Sequence, residues 1–231
     1  MNRPASPYLT PGFYDDALAK GRHRDIVGGR WGETGRAQMA ILRDAGMEPR
    51  HRLLDIGCGS LRLGHLAVPY LDPGHYWGTD ASAALMRRGW EVELTDRSRL
   101  PPAQLIEDSA FALPGIPDDI DFAIAFGVFT HLPADALSAC LHSLRARCPH
   151  LTAILFTVFP APGDPQPPHR QRDGVVTHPD RPPYHRPLAD VFAAASDAGF
   201  DATARPDLLP RGQTLVLARP GTHPDRPATH G

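Results

Sequence analysis

The sequence predicts an α/β protein in which a doubly wound, mostly parallel sheet of seven strands carries helices on both faces. Short apolar segments alternate with segments of helical spacing along most of the 231 residues, as in parallel sheets with crossover helices. The composition, with 42% hydrophobic and 22% charged residues, is that of an ordinary globular protein. The longest apolar runs, 122–129 and 151–159, are far shorter than the roughly 20 residues that a membrane span needs.

The charge balance argues against a polyanionic partner. The chain has 24 Lys and Arg against 26 Asp and Glu, a formal net charge of -2, so we expect no strong attraction to nucleic acid or to anionic membranes. A small-molecule partner is therefore predicted. The three cysteines, Cys58, Cys140 and Cys148, form no paired framework, and the N-terminus lacks the apolar core of a signal peptide. Both observations favour a cytoplasmic location.

The N-terminal segment is predicted to be an arm that closes over a site as a lid, because proline and glycine recur too often there for long regular elements. One short helix fits 15–20 within it. Helical spacing of apolar residues then begins at Ala37 and stops at Gly46. The predicted organisation is an arm over 1–36, one domain over 37–219 and a disordered tail over 220–231.

Strands and helices alternate through the rest of the chain. The predicted strands cover 52–56, 76–80, 104–107, 121–126, 151–159, 201–209 and 213–219. The predicted helices cover 61–71, 82–90, 133–148 and 188–199, and Ser82 and Pro133 are typical of helix starts. Ligands of such sheets bind at the carboxyl ends of the strands. The proline-rich loop 160–187 leaves one of these ends and is too long for an ordinary connection, so we predict that it covers the site.

The first predicted strand runs directly into a glycine turn, Gly57-Cys58-Gly59, and then into a helix. Glycines at such a turn let a ligand approach the backbone, and the helix presents free N–H groups. A dinucleotide site would fit, but Arg62 stands where the last glycine of that motif belongs, and Asp55 would repel a pyrophosphate. A cationic ligand is favoured. Asp80 ends the next strand 21 residues after Gly59, close to the spacing of about 20 for an acid that binds ribose hydroxyls.

This stretch resembles the first motif of class I S-adenosylmethionine-dependent methyltransferases, which have a Rossmann-like fold and the pattern strand, D-x-G-x-G, helix. The segments 27–38, 127–133, 182–187 and 210–213 resemble a largely uncharacterised bacterial subgroup of the same superfamily. The resemblance implies S-adenosylmethionine as the cofactor. It implies contacts from Asp55 at the ammonium group, Gly57, Cys58 and Gly59 along the turn, Asp80 and Ala81 at the ribose, Asp108 and Ser109 at the adenine, and Phe126 beside the sulfonium.

Three further residues have two interpretations each. Arg62 would bind the cofactor carboxylate or lie on the surface. His131 follows a strand and would act as a general base near neutral pH, or would only hold the start of a helix. Tyr184 lies in the covering loop and would contact the substrate or be an exposed loop residue. We take His131 and Tyr184 as the catalytic candidates, and we predict no metal site because the histidines lack a ligand spacing.

The predicted activity is methyl transfer from S-adenosylmethionine to a small-molecule acceptor. The cofactor brings its own leaving group, so the protein mainly aligns and desolvates the reactants. One alternative is attack by the cofactor's own amine on its gamma carbon, which gives azetidine-2-carboxylate and methylthioadenosine. A second is a cofactor-binding regulator without turnover. An NAD-dependent oxidoreductase is disfavoured by Asp55 and Arg62 for the reasons given above.

Overall fold

The computed structural model describes residues 6, 8, 10, 12–161, 168–205 and 209–221, and the predicted tail beyond 221 lies outside them. Seven longer strands and three of two residues occur in these ranges. Their bounds are β1 Leu53–Ile56, β2 Tyr76–Asp80, β3 Leu105–Glu107, β4 Phe122–Ala125, β5 Ala153–Pro160, β6 His169–Arg170, β7 Val176–Thr177, β8 His185–Arg186, β9 Phe200–Arg205 and β10 Thr214–Pro220. The seven longer strands are the seven that the sequence predicts, with small shifts at their ends.

The main sheet has the order β3-β2-β1-β4-β5-β10-β9 in the described residues, and the short β8 pairs with the end of β5. β10 runs antiparallel to both of its neighbours, whereas the pairs from β3 to β5 are parallel. The predicted doubly wound, mostly parallel sheet is therefore confirmed. The winding direction reverses between β1 and β4, so the carboxyl ends of these two strands flank a crevice, where ligands of such sheets bind.

The helices are α1 Asp15–Ala19, α2 His23–Ile26, α3 Trp31–Asp44, α4 Gly64–Tyr70, α5 Ala83–Glu93, α6 Ala134–Arg147 and α7 Leu188–Asp197. Ser82 caps α5 as predicted, because its Oγ accepts the N–H of Leu85 at 3.2 Å. Pro133 stands directly before α6. None of the helices in the described ranges combines the length and the apolar character that a membrane span requires.

Helix α3 differs from the prediction, since it begins at Trp31 rather than at Ala37 and so crosses the predicted end of the arm. Gly32 and Gly35 lie in this added first part of the helix, where glycine is intrinsically unfavourable. Packing explains why residue 35 is a glycine: a Cβ there would lie 2.8 Å from the carbonyl oxygen of Arg62. The missing side chain lets α3 approach the segment after the glycine turn, which places part of the predicted arm beside the crevice.

Both faces of the sheet are buried. Along β4, Ala123 and Ala125 belong to one apolar cluster, which is shared with α6 and α7. The alternating residues Phe122 and Ile124 belong to a second cluster, which is shared with α3, α4 and α5. Burial on both faces explains why the central strands read as continuous apolar runs. The polar residue Asp55 in the middle of β1 is the exception, and it lies at the crevice.

The covering loop 160–187 is held to the end of β5 by buried polar groups. The side-chain nitrogen of Gln171 donates to the carbonyl of Pro160 at 3.1 Å and to Oγ1 of Thr177 at 3.0 Å. The same hydroxyl lies 2.8 Å from Nδ1 of His185. These contacts, together with the β6–β7 hairpin, give the described parts of the loop a fixed course.

Candidate active site

A cavity of about 300 Å³ lies at the carboxyl ends of β1, β2 and β4. All ten residues that the sequence assigns to cofactor binding line it: Asp55, Gly57, Cys58, Gly59, Arg62, Asp80, Ala81, Asp108, Ser109 and Phe126. The structure thus brings together residues that are up to 71 positions apart in the chain. Of the two catalytic candidates, His131 lines the cavity and Tyr184 does not.

The turn after β1 needs both of its glycines. Gly57 and Gly59 have φ angles of 70° and 55°, in the left-handed region. A Cβ on Gly57 would lie 2.5 Å from Cγ2 of Val128, and one on Gly59 would lie 2.9 Å from Cγ1 of Val27. Since real Cβ atoms do not approach other atoms this closely, a side chain at either position would displace the turn, or displace Val128 or Val27.

Asp55 is buried within β1, two residues before Gly57 of the turn. The hydroxyl of Tyr76 donates to its Oδ2 at 2.6 Å. Burial raises the pKa of Asp55 to about 7, and the hydrogen bond from Tyr76 opposes part of this rise. The carboxyl group is therefore only partly ionised near neutral pH, and a cation in the cavity would favour the ionised form.

Asp80 ends β2 and is also buried. Its Oδ2 accepts the N–H of Gly59 at 2.9 Å, and its Oδ1 accepts the N–H of Ser82 at 3.0 Å. Burial raises the pKa of Asp80 to about 6, and these backbone donors act against the rise. Each carboxylate oxygen keeps a further lone pair, so the group can accept hydroxyl donors from a ligand without losing its own contacts.

Asp108 organises the turn after β3. Its carboxylate accepts the backbone N–H groups of Ala110, Ala112 and Leu113 at 2.9, 3.2 and 2.8 Å. The backbone N–H of Asp108 in turn donates to the carbonyl of Asp80 at 2.9 Å. The side chain thus fixes the loop that edges the cavity, and the neighbouring Ser109 lines the cavity as well.

Arg62 is partly buried and lines the cavity, so the alternative of an exposed surface residue is wrong. Its Nη1 donates to the carbonyls of Val27 at 2.8 Å and Gly29 at 3.4 Å, which ties the arm to the helix after the glycine turn. Its Nε is buried without a hydrogen-bond partner in the described residues. Burial lowers the pKa of Arg62 to about 10, which still leaves the guanidinium charged at neutral pH.

Residues of the arm form one wall of the cavity. Ser6, Tyr8 and Tyr14 line it. The ring of Tyr8 lies edge-on to that of His131, with 4.8 Å between the ring centroids. The described part of the arm therefore lies against the site, as the lid prediction requires.

His131 lies in the segment between β4 and α6 and is partly buried. Burial and the positive charge of Arg211 lower the pKa of its imidazole to about 4. Its backbone N–H donates to the carbonyl of Val128 at 3.0 Å. The side chain is therefore neutral at physiological pH and has a ring nitrogen that can accept a hydrogen bond.

Tyr184 fits neither of its predicted interpretations, a contact with the substrate or an exposed residue of the covering loop. It is buried rather than exposed, and its backbone N–H donates to the carbonyl of Thr130 at 2.7 Å. Successive residues of an extended segment face opposite sides, and Pro183, not Tyr184, lines the cavity. Pro183 and Val175 thus line the cavity from the covering loop, and the predicted Tyr184 is one residue away from Pro183.

Sequence reasoning gave no role to a group on the far side of the cavity. The N–H of Gly127 donates to Oγ1 of Thr157 at 2.7 Å, and this hydroxyl donates to Oε1 of Gln213 at 2.5 Å. Gln213 and the neighbouring Arg211 line the cavity. In the sequence, the segment 210–213 drew notice only through the family resemblance. A hydrogen bond between residues 56 positions apart leaves no local pattern that would predict it.

Residues 54–149 match the family model described as a methyltransferase domain. This range holds the glycine turn and the three acids that line the cavity. This stretch of the chain is therefore identified as a methyltransferase domain. No curated protein matches the sequence.

Several solved methyltransferase structures are similar to this chain. Magnesium protoporphyrin IX methyltransferase (ChlM) from Synechocystis PCC 6803, with bound SAM, is 17% identical over 95% of this chain and 99% of its own, with a TM-score of 0.63. The sugar N-methyltransferase KedS8 from Streptoalloteichus sp. is 16% identical over 90% and 92%, with a TM-score of 0.60. A TehB-like SAM-dependent methyltransferase from Corynebacterium glutamicum is 17% identical over 92% and 100%, with a TM-score of 0.58. These similarities agree with the observed fold.

Proposed function

We propose that this protein binds S-adenosylmethionine along the glycine turn and delivers its methyl group to a small-molecule acceptor. The observation that carries the proposal is the lining of the cavity. The acids at the strand ends and Phe126 line it together with Tyr8, His131 and Gln213, which belong to other segments of the chain. Side chains of the arm and the covering loop line the same cavity, which favours a small acceptor over a nucleic acid or a protein surface.

The residues present fit the groups of the cofactor. Asp55 offers a negative charge to an ammonium group, and Asp80 offers free lone pairs to ribose hydroxyls. Arg62 has a buried Nε without a partner among the described residues and would bind the cofactor carboxylate. Asp108 and Ser109 edge the part of the cavity that we assign to the adenine, and Phe126 lies where the sulfonium is expected.

The bound cofactor supplies an activated methyl group, whose bond to sulfur breaks as the bond to the acceptor forms, leaving a neutral thioether. The protein's contribution is alignment and exclusion of water. Neutral His131 would accept a hydrogen bond from the nucleophile and so orient it. Its lowered pKa makes it a weak base, so we assign the imidazole to orientation and to short-lived proton acceptance rather than to prior deprotonation of the acceptor.

The product formed from S-adenosylmethionine tests the proposal. The purified protein is incubated with S-adenosylmethionine alone and then with pooled small molecules that carry hydroxyl, amine or carboxylate nucleophiles, and the nucleosides are measured by mass spectrometry. We expect S-adenosylhomocysteine to accumulate only when an acceptor is present. Methylthioadenosine formed from the cofactor alone, above a heat-treated control, would instead establish the cyclisation alternative. Cofactor binding without any product would favour the regulator.

A further inference from the structure

The charged residues that line the cavity are three acids and two arginines, of which Arg62 lies near Asp55. The acids, Asp55, Asp80 and Asp108, lie at the ends of β1, β2 and β3, on the side proposed for the cofactor. Arg211 lines the other side, in the turn before β10. The described residues that line the cavity include no acid in the 209–213 segment or in the 126–132 segment.

Arg211 is placed to act on the acceptor side. Its Nη2 donates to the carbonyl of Gly28 in the arm, which holds the side chain across the edge of the cavity. Its positive charge helps to lower the pKa of His131 and counteracts the effect of burial on the pKa of Tyr8. The guanidinium therefore lies close enough to the rings of His131 and Tyr8 to affect the electrostatic potential at a ligand that contacts either ring.

Gln213 adds a neutral donor at the same place. Its Oε1 is occupied by the hydroxyl of Thr157, which itself accepts the N–H of Gly127. This relay leaves the amide nitrogen as the group that faces the cavity, and a Cβ on Gly127 would lie 3.9 Å from it. Gln213 can therefore donate hydrogen bonds into the cavity but has its acceptor oxygen already engaged.

A second depression, of about 410 Å³, adjoins the cavity and shares Pro210 and Arg211 with it. Its other described lining residues are Arg30, Glu33, Ala37, Arg172, Asp173, Leu209 and Gly212. The described lining of this depression therefore includes three guanidinium groups and two carboxylates. Among the described residues, the lining of this depression carries an excess of positive charge, although the chain as a whole has a net charge of -2.

We propose that Arg211 and Gln213 form an anion subsite that selects acceptors carrying a carboxylate or a phosphoryl group. This inference rests on the proposed methyltransferase function and narrows its substrate class. We assign the cofactor carboxylate to Arg62, which follows the glycine turn, and the acceptor anion to Arg211, which lies in the turn before β10. Besides burial, the charge of Arg211 contributes to the lowered pKa of Arg62, so the two guanidinium groups are neighbours, and the two places are told apart by filling the cofactor site. A carboxylate or phosphoryl oxygen accepts charge-assisted hydrogen bonds from a guanidinium and a further bond from an amide.

The NMR signal of the His131 imidazole provides a direct test. This signal is assigned by its absence from the spectrum of His131→Asn. The protein is kept saturated with S-adenosylhomocysteine at constant ionic strength. Sodium acetate, inorganic phosphate and neutral acetamide are then titrated in separate samples. We expect a saturable change of the His131 signal with acetate or phosphate and none with acetamide. The anion with the higher affinity identifies which of the two groups the subsite prefers.

Arg211→Gln should weaken the binding of the preferred anion about tenfold or more, which corresponds to one charge-assisted hydrogen bond. Arg36→Gln is the matched control, since Arg36 is exposed on α3 and lines neither cavity. Gln213→Glu would place a negative charge at the subsite and should abolish the response. Calorimetric titration of each variant with S-adenosylhomocysteine establishes that it is folded.

Three results would overturn the subsite: no saturable change with either anion, equal responses in the wild type and Arg211→Gln, or a response that appears only in a parallel titration without S-adenosylhomocysteine. The last would mean that Arg211 binds the carboxylate of the cofactor. Failure of the proposed function gives a different result, which is read from the cofactor and not from the anions: the protein either does not bind S-adenosylhomocysteine, or it binds S-adenosylmethionine and forms methylthioadenosine or no product at all.

Discussion

The two ends of the cavity are built differently. The cofactor end is made by residues at strand ends and in the turns that follow, such as Gly57, Asp80 and Asp108, whose positions follow from the sheet itself. The acceptor end is assembled from the arm, the segment after β4 and the turn before β10, which meet only in the folded chain. The first end can serve one cofactor throughout a family, whereas the second can change loop by loop to suit different acceptors.

The largest expected effect is at the turn of the cofactor end. Gly57→Val should abolish the binding of S-adenosylmethionine, because a Cβ would meet Val128 at 2.5 Å and the φ angle is 70°. Gly46→Ala is a control for backbone strain alone, since Gly46 also has a positive φ, 104°, but nothing lies within 4 Å of its Cβ position. We expect the control to lose about 1 kcal/mol of unfolding free energy or somewhat more and to keep its cofactor affinity. Calorimetric titration and thermal unfolding measure both quantities, and wild-type affinity in Gly57→Val would place the cofactor elsewhere.

Asp80→Asn should have the next largest effect. It removes the negative charge that we assign to the ribose hydroxyls, and it replaces the oxygen that accepts the N–H of Gly59 or of Ser82 by a donor. A lost hydrogen bond to a charged group is worth about 1.5–3 kcal/mol, so we expect the dissociation constant to rise by roughly 10- to 100-fold. Asp135→Asn, on the exposed first turn of α6, is a control for charge. Equal cofactor affinity in both variants would contradict the assignment.

The pH dependence separates the acids of the cofactor end from His131. The folded-state pKa of Asp55 is raised from 3.8 to about 7, so the folded protein without cofactor holds a proton that the unfolded chain releases. This group therefore lowers stability as pH rises from about 4 to about 7. His131 acts with the opposite sign, because its pKa falls from 6.5 to about 4 and stability rises with pH between these values.

Binding of a cationic cofactor should draw Asp55 into its ionised form. We expect the affinity for S-adenosylmethionine to rise as pH increases towards about 7, by up to about tenfold per pH unit for each proton released. Calorimetry in buffers of different ionisation enthalpy counts these protons. Asp55→Asn should remove part of the release, and a proton count of zero in the wild type at pH 6 would contradict this account.

At the acceptor end, His131→Gln should lower kcat/KM for a methyl acceptor about tenfold or more, because the orienting nitrogen is lost. Tyr184→Phe should change kcat/KM by less than about threefold, the smallest effect of the series, since its ring does not line the cavity. Both are measured from the rate at which S-adenosylhomocysteine forms. A larger decrease in kcat/KM for Tyr184→Phe than for His131→Gln would contradict this account and would indicate that Tyr184 contacts the substrate.

The difference between the two ends also explains what the sequence could predict. Strand ends and glycine turns carry local patterns, so the order of elements was predicted and the ten residues that we assign to the cofactor all line one cavity. The start of α3 was missed because Gly35, which is required by its contact with Arg62, resembles a helix breaker. The relay from Gly127 through Thr157 to Gln213 joins distant segments and has no sequence signature. Tyr184 was misplaced because a choice between neighbouring residues depends on the exact register of a long loop.

A crystal structure of the complex with S-adenosylhomocysteine tests the division of the cavity most directly. Our account predicts ribose hydroxyls within hydrogen-bonding distance of Asp80, the cofactor sulfur beside Phe126, and the cofactor carboxylate on Arg62, with Arg211 facing unoccupied space on the acceptor side. A cofactor carboxylate on Arg211, or a ribose away from Asp80, would contradict it.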